Sequence, residues 1–200
     1  MPITTFFKLV EIQTKLASLF PFLLGTLFAA YYFNAFNLVN TLIFFVAMLI
    51  FDMTTTAINN LMDYQKAKDK GYKDEVNVIG QEKISEKLII RLIIGMLIAA
   101  MLLGILLVFR TNIILLVIGA GCFFIGVFYT FGPILISRMP LGEPVSGLVM
   151  GFGIFFIAAF VNVKDTNLLS LLFSKQSFIL EGNLVSILSL FFVSLPTVFF

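Results

Sequence analysis

LVNTLIFFVAMLIFDMTTTAINNLMDYQKAKD, residues 38–69, opens as an almost unbroken apolar run and closes in a cluster of carboxamides, carboxylates and lysines. Its first 25 residues exceed the ~20 that a helix needs to cross the hydrocarbon core of a bilayer. The run is continuous and does not alternate, which selects a helix over a barrel strand. The whole chain repeats this character. Of its 200 residues 60% are hydrophobic and only 12% are charged, against roughly 45–50% and 25% for a soluble domain. In lipid every backbone polar group must be satisfied internally. The expected fold class is therefore all-α, a polytopic transmembrane helical bundle forming one membrane-embedded domain over residues 1–200.

Working outward from residues 38–62, five further segments read as spans: 15–33, 88–109, 112–131, 144–163 and 184–200. Residues 63–87 form the main charged loop, and residues 164–183 a second polar stretch. Gly132 and Pro133 stop the fourth segment. The last segment ends in Phe199 and Phe200 with no charged anchor, and reads as cut short.

Charge placement orients the bundle. With the N-terminus in the cytoplasm, one side carries Lys8, Lys15, Lys66, Lys68, Lys70, Lys73, Lys83, Lys87, Arg91 and Arg138. The other carries only Arg110, Lys164 and Lys175. This asymmetry orients the N-terminus and the 63–87 loop toward the cytoplasm. The net charge of +2 makes no case for nucleic acid, and no such partner is expected. There is no histidine, which removes the commonest general base and zinc ligand. The single cysteine, Cys122, rules out an internal disulfide framework and reads as a small buried hydrophobe. Gly147, Gly151 and Gly153 form a small-residue face suited to close helix packing.

The chemistry concentrates at the end of the quoted stretch. Asp52, Thr55 or Thr56, Asn59 and Asp63 recur at helical spacing and share one stripe. A carboxylate inside a span costs at least about 2.5 kcal/mol and faces a cavity or a partner. Asp52 therefore either belongs to a polar site or pairs with Lys15. Magnesium prefers one or two carboxylates together with phosphate oxygens and water. Asp63 can supply a carboxylate, Asn59 a neutral oxygen, and the lysines from Lys66 to Lys73 the charge to neutralise a phosphate. The competing reading is a solvated loop of mixed charge.

With these residues in view, the chain resembles the UbiA superfamily of intramembrane prenyltransferases. Asn59-x-x-x-Asp63 is similar to the start of that family's first aspartate-rich motif. Asp63-Tyr64 followed by Lys68 and Gly71 resembles the form in 1,4-dihydroxy-2-naphthoate prenyltransferases of menaquinone synthesis. Tyr129, Gly132, Pro133, Leu141, Gly142 and Glu143 resemble a second signature of that subfamily, and Lys15 ahead of Pro21 and Gly25 its first helix.

The resemblance implies transfer of a prenyl group from a polyprenyl diphosphate to an aromatic acceptor such as dihydroxynaphthoate, with Mg2+ as cofactor. On it, Asn59 and Asp63 are the catalytic residues, Asp63 and Asp69 the metal ligands, and Lys15, Lys66 and Tyr129 the substrate-binding residues. Two departures stand out. The next aspartate expected after Asp63 is replaced by Lys66 and Ala67, leaving Asp69 or Asp74 as loop substitutes. The family's nine helices and second aspartate motif also extend past these six segments, so the 200 residues alone are expected to be inactive. The alternatives are a non-catalytic membrane fragment or a small transporter. A CDP-alcohol phosphatidyltransferase would need an Asp-Gly-x-x-Ala-Arg motif, which does not occur here.

Overall fold

Helix formation in the quoted stretch starts at Asn37, whose side-chain oxygen accepts the Asn40 amide at 3.0 Å and caps the first turn. The helix that follows, α3, runs Leu38–Lys66. Its three consecutive threonines do not break it. Thr54 bonds back to the Ile50 carbonyl at 2.6 Å, and Thr55 and Thr56 to the Asp52 carbonyl at 2.9 and 3.1 Å. Each hydroxyl is thus satisfied inside its own helix, as an apolar solvent demands. The helix continues a full turn beyond residue 62, so Asp63 and Lys66 belong to it, and the loop proper begins at Ala67.

The computed structural model describes residues 1–69, 71–129, 142–163, 169–174 and 177–198. Lys70, Gly132, Pro133, Arg138, Leu141, Lys164, Lys175, Phe199 and Phe200, singled out above, lie outside them.

A short helix α1, Ile3–Leu9, and a tight turn at Ile12–Lys15 lead into α2, Leu16–Tyr32. After α3 come a π-type turn at Tyr72–Val76, α4 at Val78–Gln81, α5 at Glu86–Arg110 and α6 at Ile114–Phe128. A further helical stretch comprises α7, Gly142–Gly147, a π-helical segment Leu148–Gly153 and α8, Ile154–Phe160. The last helix is α9, Leu184–Val198. Among the described residues, three helical segments (Ile12–Tyr32, Leu38–Lys66 and Glu86–Arg110) are long and apolar enough to cross a membrane, and three more are apolar but shorter. Each of the six expected segments is helical over most of its described length, with non-helical ends at Phe33, Asn112, Ile113, Tyr129 and residues 161–163. The polar stretch 164–183 adds what an all-α expectation omits, an antiparallel hairpin of β1, Leu169–Ser174, and β2, Ser177–Gly182.

Two packing relations set the frame: α5 lies along α3, and α2 crosses α8. The second crossing is close because Gly25 has no side chain. A Cβ there would collide with the Phe155 carbonyl and lie 3.0 Å from the Ala158 Cβ. Gly153 similarly admits α6, since a Cβ on it would lie 3.3 Å from the Cys122 sulfur. This is the close helix packing that small residues permit in lipid.

At the end of the bundle remote from the 67–85 loop, a polar clamp joins distant parts of the chain. The Asn162 side-chain oxygen accepts from the Asn37 amide at 2.7 Å and from Thr41 Oγ1 at 2.9 Å. Asn40 donates to the Val161 carbonyl at 2.9 Å and accepts from Arg110 Nε at 2.8 Å. At the loop end, Leu9, Ile58, Leu61, Ile79 and Ile89 are buried together in a separate apolar cluster.

Candidate functional site

At about 100° per residue, Asp52, Thr56, Asn59, Asp63 and Lys66 all fall within roughly 80° of arc on α3. The helix continues through Lys66, so the whole set is carried on one rigid element. Its two ends lie about 20 Å apart at ~1.5 Å per residue.

The deep end of this stripe is closed by an ion pair. Lys15 Nζ lies 2.8 Å from Asp52 Oδ1 and donates to Thr56 Oγ1 at 2.6 Å. Ser18 Oγ donates to the other carboxylate oxygen at 2.7 Å. Both charged side chains are buried. The two open readings of Asp52 are thereby resolved in favour of a partnership with Lys15. Lys15 Nζ thus lies between Asp52 and Thr56, about 5–10 Å below the level of Asn59. Its ammonium charge is compensated inside the protein, which a charge at this depth requires.

The mouth of the stripe holds Asn59 and Asp63, both half-buried, with Lys66 exposed beyond them. Asp69 is not brought to this face. The helix has ended, and Asp69 Oδ1 accepts the Gly71 amide at 2.9 Å within the exposed loop. Among the described residues no group of three or more acidic, cysteine or histidine side chains forms a metal cage. One carboxylate beside one carboxamide fits a magnesium ion shared with a diphosphate, since that ion keeps several waters and phosphate oxygens.

Tyr129 caps the end of α6, its amide donating to the Ile125 carbonyl at 2.7 Å. The same helix meets α3 where Phe123 stacks on Phe51, with ring centres 4.8 Å apart, and where Gly126 faces Phe51 and Thr55. Tyr129 follows Gly126 by one turn. Its backbone therefore stands about 4.5 Å nearer the loop end, approaching the level of Asn59.

The loop beside this mouth is fastened by Asn60, Asn77 and Glu82, which pattern reasoning passed over, and by Lys73, one of the lysines expected to neutralise a phosphate. Asn60, not Asn59, donates to the Leu9 carbonyl at 2.9 Å and to Glu11 Oε1 at 3.2 Å. Asn77 donates to the Asn60 carbonyl at 3.1 Å and caps α4 through the Ile79 amide at 2.9 Å. Lys73 is folded back over the Tyr64 ring at 5.4 Å, a cation–π contact next in sequence to Asp63. Glu82 accepts from Lys8 Nζ at 2.6 Å and Thr5 Oγ1 at 3.1 Å. The hydrogen bond from Lys8, then that from Thr5, then the lysine's charge hold its carboxyl below the ordinary glutamate range. A signal for Asn60 was present in the sequence, since it sits some 80° around the helix from Asp52 and off the stripe. Nothing in the sequence named its partner.

Two comparisons bear on this arrangement. The model of the UbiA prenyltransferase family matches residues 18–199. The 1,4-dihydroxy-2-naphthoate octaprenyltransferase of Bacillus subtilis (strain 168) is 30% identical over 180 residues, which cover 88% of this chain and 56% of that protein. The chain thus spans little more than half the length of that relative. No solved structure matches it.

Proposed function

Since this chain belongs to the UbiA prenyltransferase family, we propose that the mouth of its polar stripe binds the diphosphate of a polyprenyl diphosphate for magnesium-dependent transfer of the prenyl group to an aromatic quinone precursor. The observation that carries this is the single helical face of Asn59, Asp63 and Lys66, closed below by the Lys15–Asp52 pair. The name of the Bacillus subtilis relative favours dihydroxynaphthoate as acceptor and the menaquinone pathway as setting. The weighting of lysines toward the 67–85 side supports a cytoplasmic mouth.

Asp63 and the Asn59 oxygen would hold the ion. Bound there, magnesium would neutralise charge as it builds on the departing diphosphate. Lys66, at the rim, adds a mobile positive charge to the same end. Asp63 is fixed to a helix, so its charge is placed before the reaction begins and needs no reorganisation during it. Tyr129, whose backbone on α6 lies just below the level of Asn59, would offer a hydroxyl to a phosphate oxygen. The allylic carbon loses its bond to oxygen as positive charge develops on the prenyl fragment. The apolar walls of the bundle keep water from that cation. The aromatic carbon of the acceptor then forms the new bond, and its proton leaves to a carboxylate or to solvent. Lys15 serves as the fixed floor of the stripe, because its ammonium is held by Asp52 and Thr56.

Direct binding tests this reading. Titration of the purified chain in detergent with a polyprenyl diphosphate should show saturable binding that magnesium strengthens and Asp63→Ala abolishes. Binding indifferent to both magnesium and Asp63 overturns the assignment. A parallel transfer assay with 1,4-dihydroxy-2-naphthoate tests the expectation that these 200 residues alone are inactive, which turnover would overturn.

A further inference from the structure

Helix α1 has two apolar faces, and the protein covers only one of them. Leu9 is fully buried, and Thr5, one turn earlier on the same face, is 5% exposed. On the opposite face Ile3 is 70% exposed and Phe7, one turn later, 40%. A helix apolar on both sides needs a second apolar environment. That environment is adjacent. α1 is bonded to the loop end of the bundle through Thr5 and Lys8 to Glu82. It is followed within a few residues by the span Ile12–Tyr32. The outward face of that span continues the same character, with Leu16 and Leu27 exposed at 60% and 64%. The basic Lys8 lies to the side, between the covered and uncovered faces, as in helices that lie in a headgroup layer.

We propose that α1 is an interfacial anchor that sets Ile3 and Phe7 into the headgroup–acyl boundary of the leaflet on the loop side, and thereby tethers the 67–85 loop to the membrane surface. The tether has two parts. Glu82, at the end of α4, is held by Thr5 and Lys8. Asn60, on α3, holds the Leu9 carbonyl while its own carbonyl receives Asn77 from the loop. Lipid contact of a seven-residue helix thus fixes the ground on which the loop stands. The bilayer is favoured over a protein partner because the uncovered residues run on into the lipid-facing side of the adjoining span. This inference is independent of the prenyl-transfer reading and stands or falls on membrane contact alone.

Single cysteines at Ile3, Phe7 and Lys68, each in a Cys122→Ala chain, carry an environment-sensitive fluorophore. The protein is reconstituted in vesicles of phosphatidylethanolamine and phosphatidylglycerol. Probes at positions 3 and 7 should emit at shorter wavelength than the probe at 68, and lipids spin-labelled near the headgroup should quench them severalfold more. Emission and quenching equal to those at position 68 overturn the proposal. So does a blue shift without lipid quenching, which would mean that a second copy or another protein covers the face. The double variant Ile3→Glu/Phe7→Glu should raise tryptic cleavage at the loop lysines severalfold in the same vesicles. Unchanged cleavage overturns the tether.

Discussion

Lys15 Nζ rests 2.8 Å from Asp52 Oδ1, joining two helices 37 positions apart in sequence deep in the bundle. A pair this buried is a matter of mutual dependence more than of net stabilisation. Lys15→Met leaves the Asp52 carboxylate, among the described residues, with Ser18 as its one side-chain donor and should cost about 3–5 kcal/mol. Asp52→Leu strands the ammonium at similar cost. The double variant Lys15→Met/Asp52→Leu removes both charges and should recover most of the loss. Unfolding midpoints of the four proteins in one detergent check this, and strictly additive losses would show that the two charges do not depend on each other.

Gly25 and Gly95 make a second, internally controlled test. A methyl on Gly25 meets the Phe155 backbone, which cannot swing aside, whereas a methyl on Gly95 meets nothing within 4 Å. Gly25→Ala should destabilise the chain by about 1–3 kcal/mol through overpacking. Gly95→Ala should be neutral or slightly stabilising, by up to ~1 kcal/mol of helix propensity. Thermal unfolding of both variants reads the difference. Equal midpoints would contradict the α2–α8 crossing.

The spans were legible because lipid permits few alternatives: a 25-residue apolar run has to be a helix whatever surrounds it. The stripe on α3 was legible for the same reason, since spacing on a helix fixes which side chains share a face. Partners distant in sequence were harder. Lys15 and Asp52 could be paired on paper because few charges lie inside the spans. Asn162 and Thr41 could not, since asparagines and threonines are common and 121 positions separate these two. Asn59 and Asn60 are identical in type and adjacent. Only the helical angle separates the one on the stripe from the one that holds Leu9. Asp69 entered as a loop substitute for the aspartate that the family resemblance leads one to expect after Asp63; the chain leaves the helix at Ala67, and Asp69 accepts the Gly71 amide within the loop.

Acid should loosen the loop end selectively. Glu82 has its carboxyl lowered in the folded chain, first by the Lys8 hydrogen bond and then by Thr5. A lowered folded value means that the stabilisation is fully present above the ordinary glutamate range. It is lost as pH falls through the folded value. Amide hydrogen exchange in α1 and α4 should therefore quicken as the pH falls below that range, after correction for the intrinsic rate. The Glu82→Gln variant should show much less of this pH response. An undiminished response in that variant would assign the effect to another group.

Asn60 and Asp63 should separate structure from binding. Asn60 donates to the Leu9 carbonyl and to Glu11, so Asn60→Ala leaves a part-buried acceptor without its partner. It should cost about 1–3 kcal/mol of stability and loosen the N-terminal segment. Its side chain points away from the stripe, and affinity for a polyprenyl diphosphate should change less than a few-fold. Asp63→Ala should instead remove magnesium-dependent affinity for the diphosphate. Paired titrations and unfolding curves of the two variants decide the matter. If Asn60→Ala weakens binding as much as Asp63→Ala does, the face of α3 that meets the diphosphate has been misassigned.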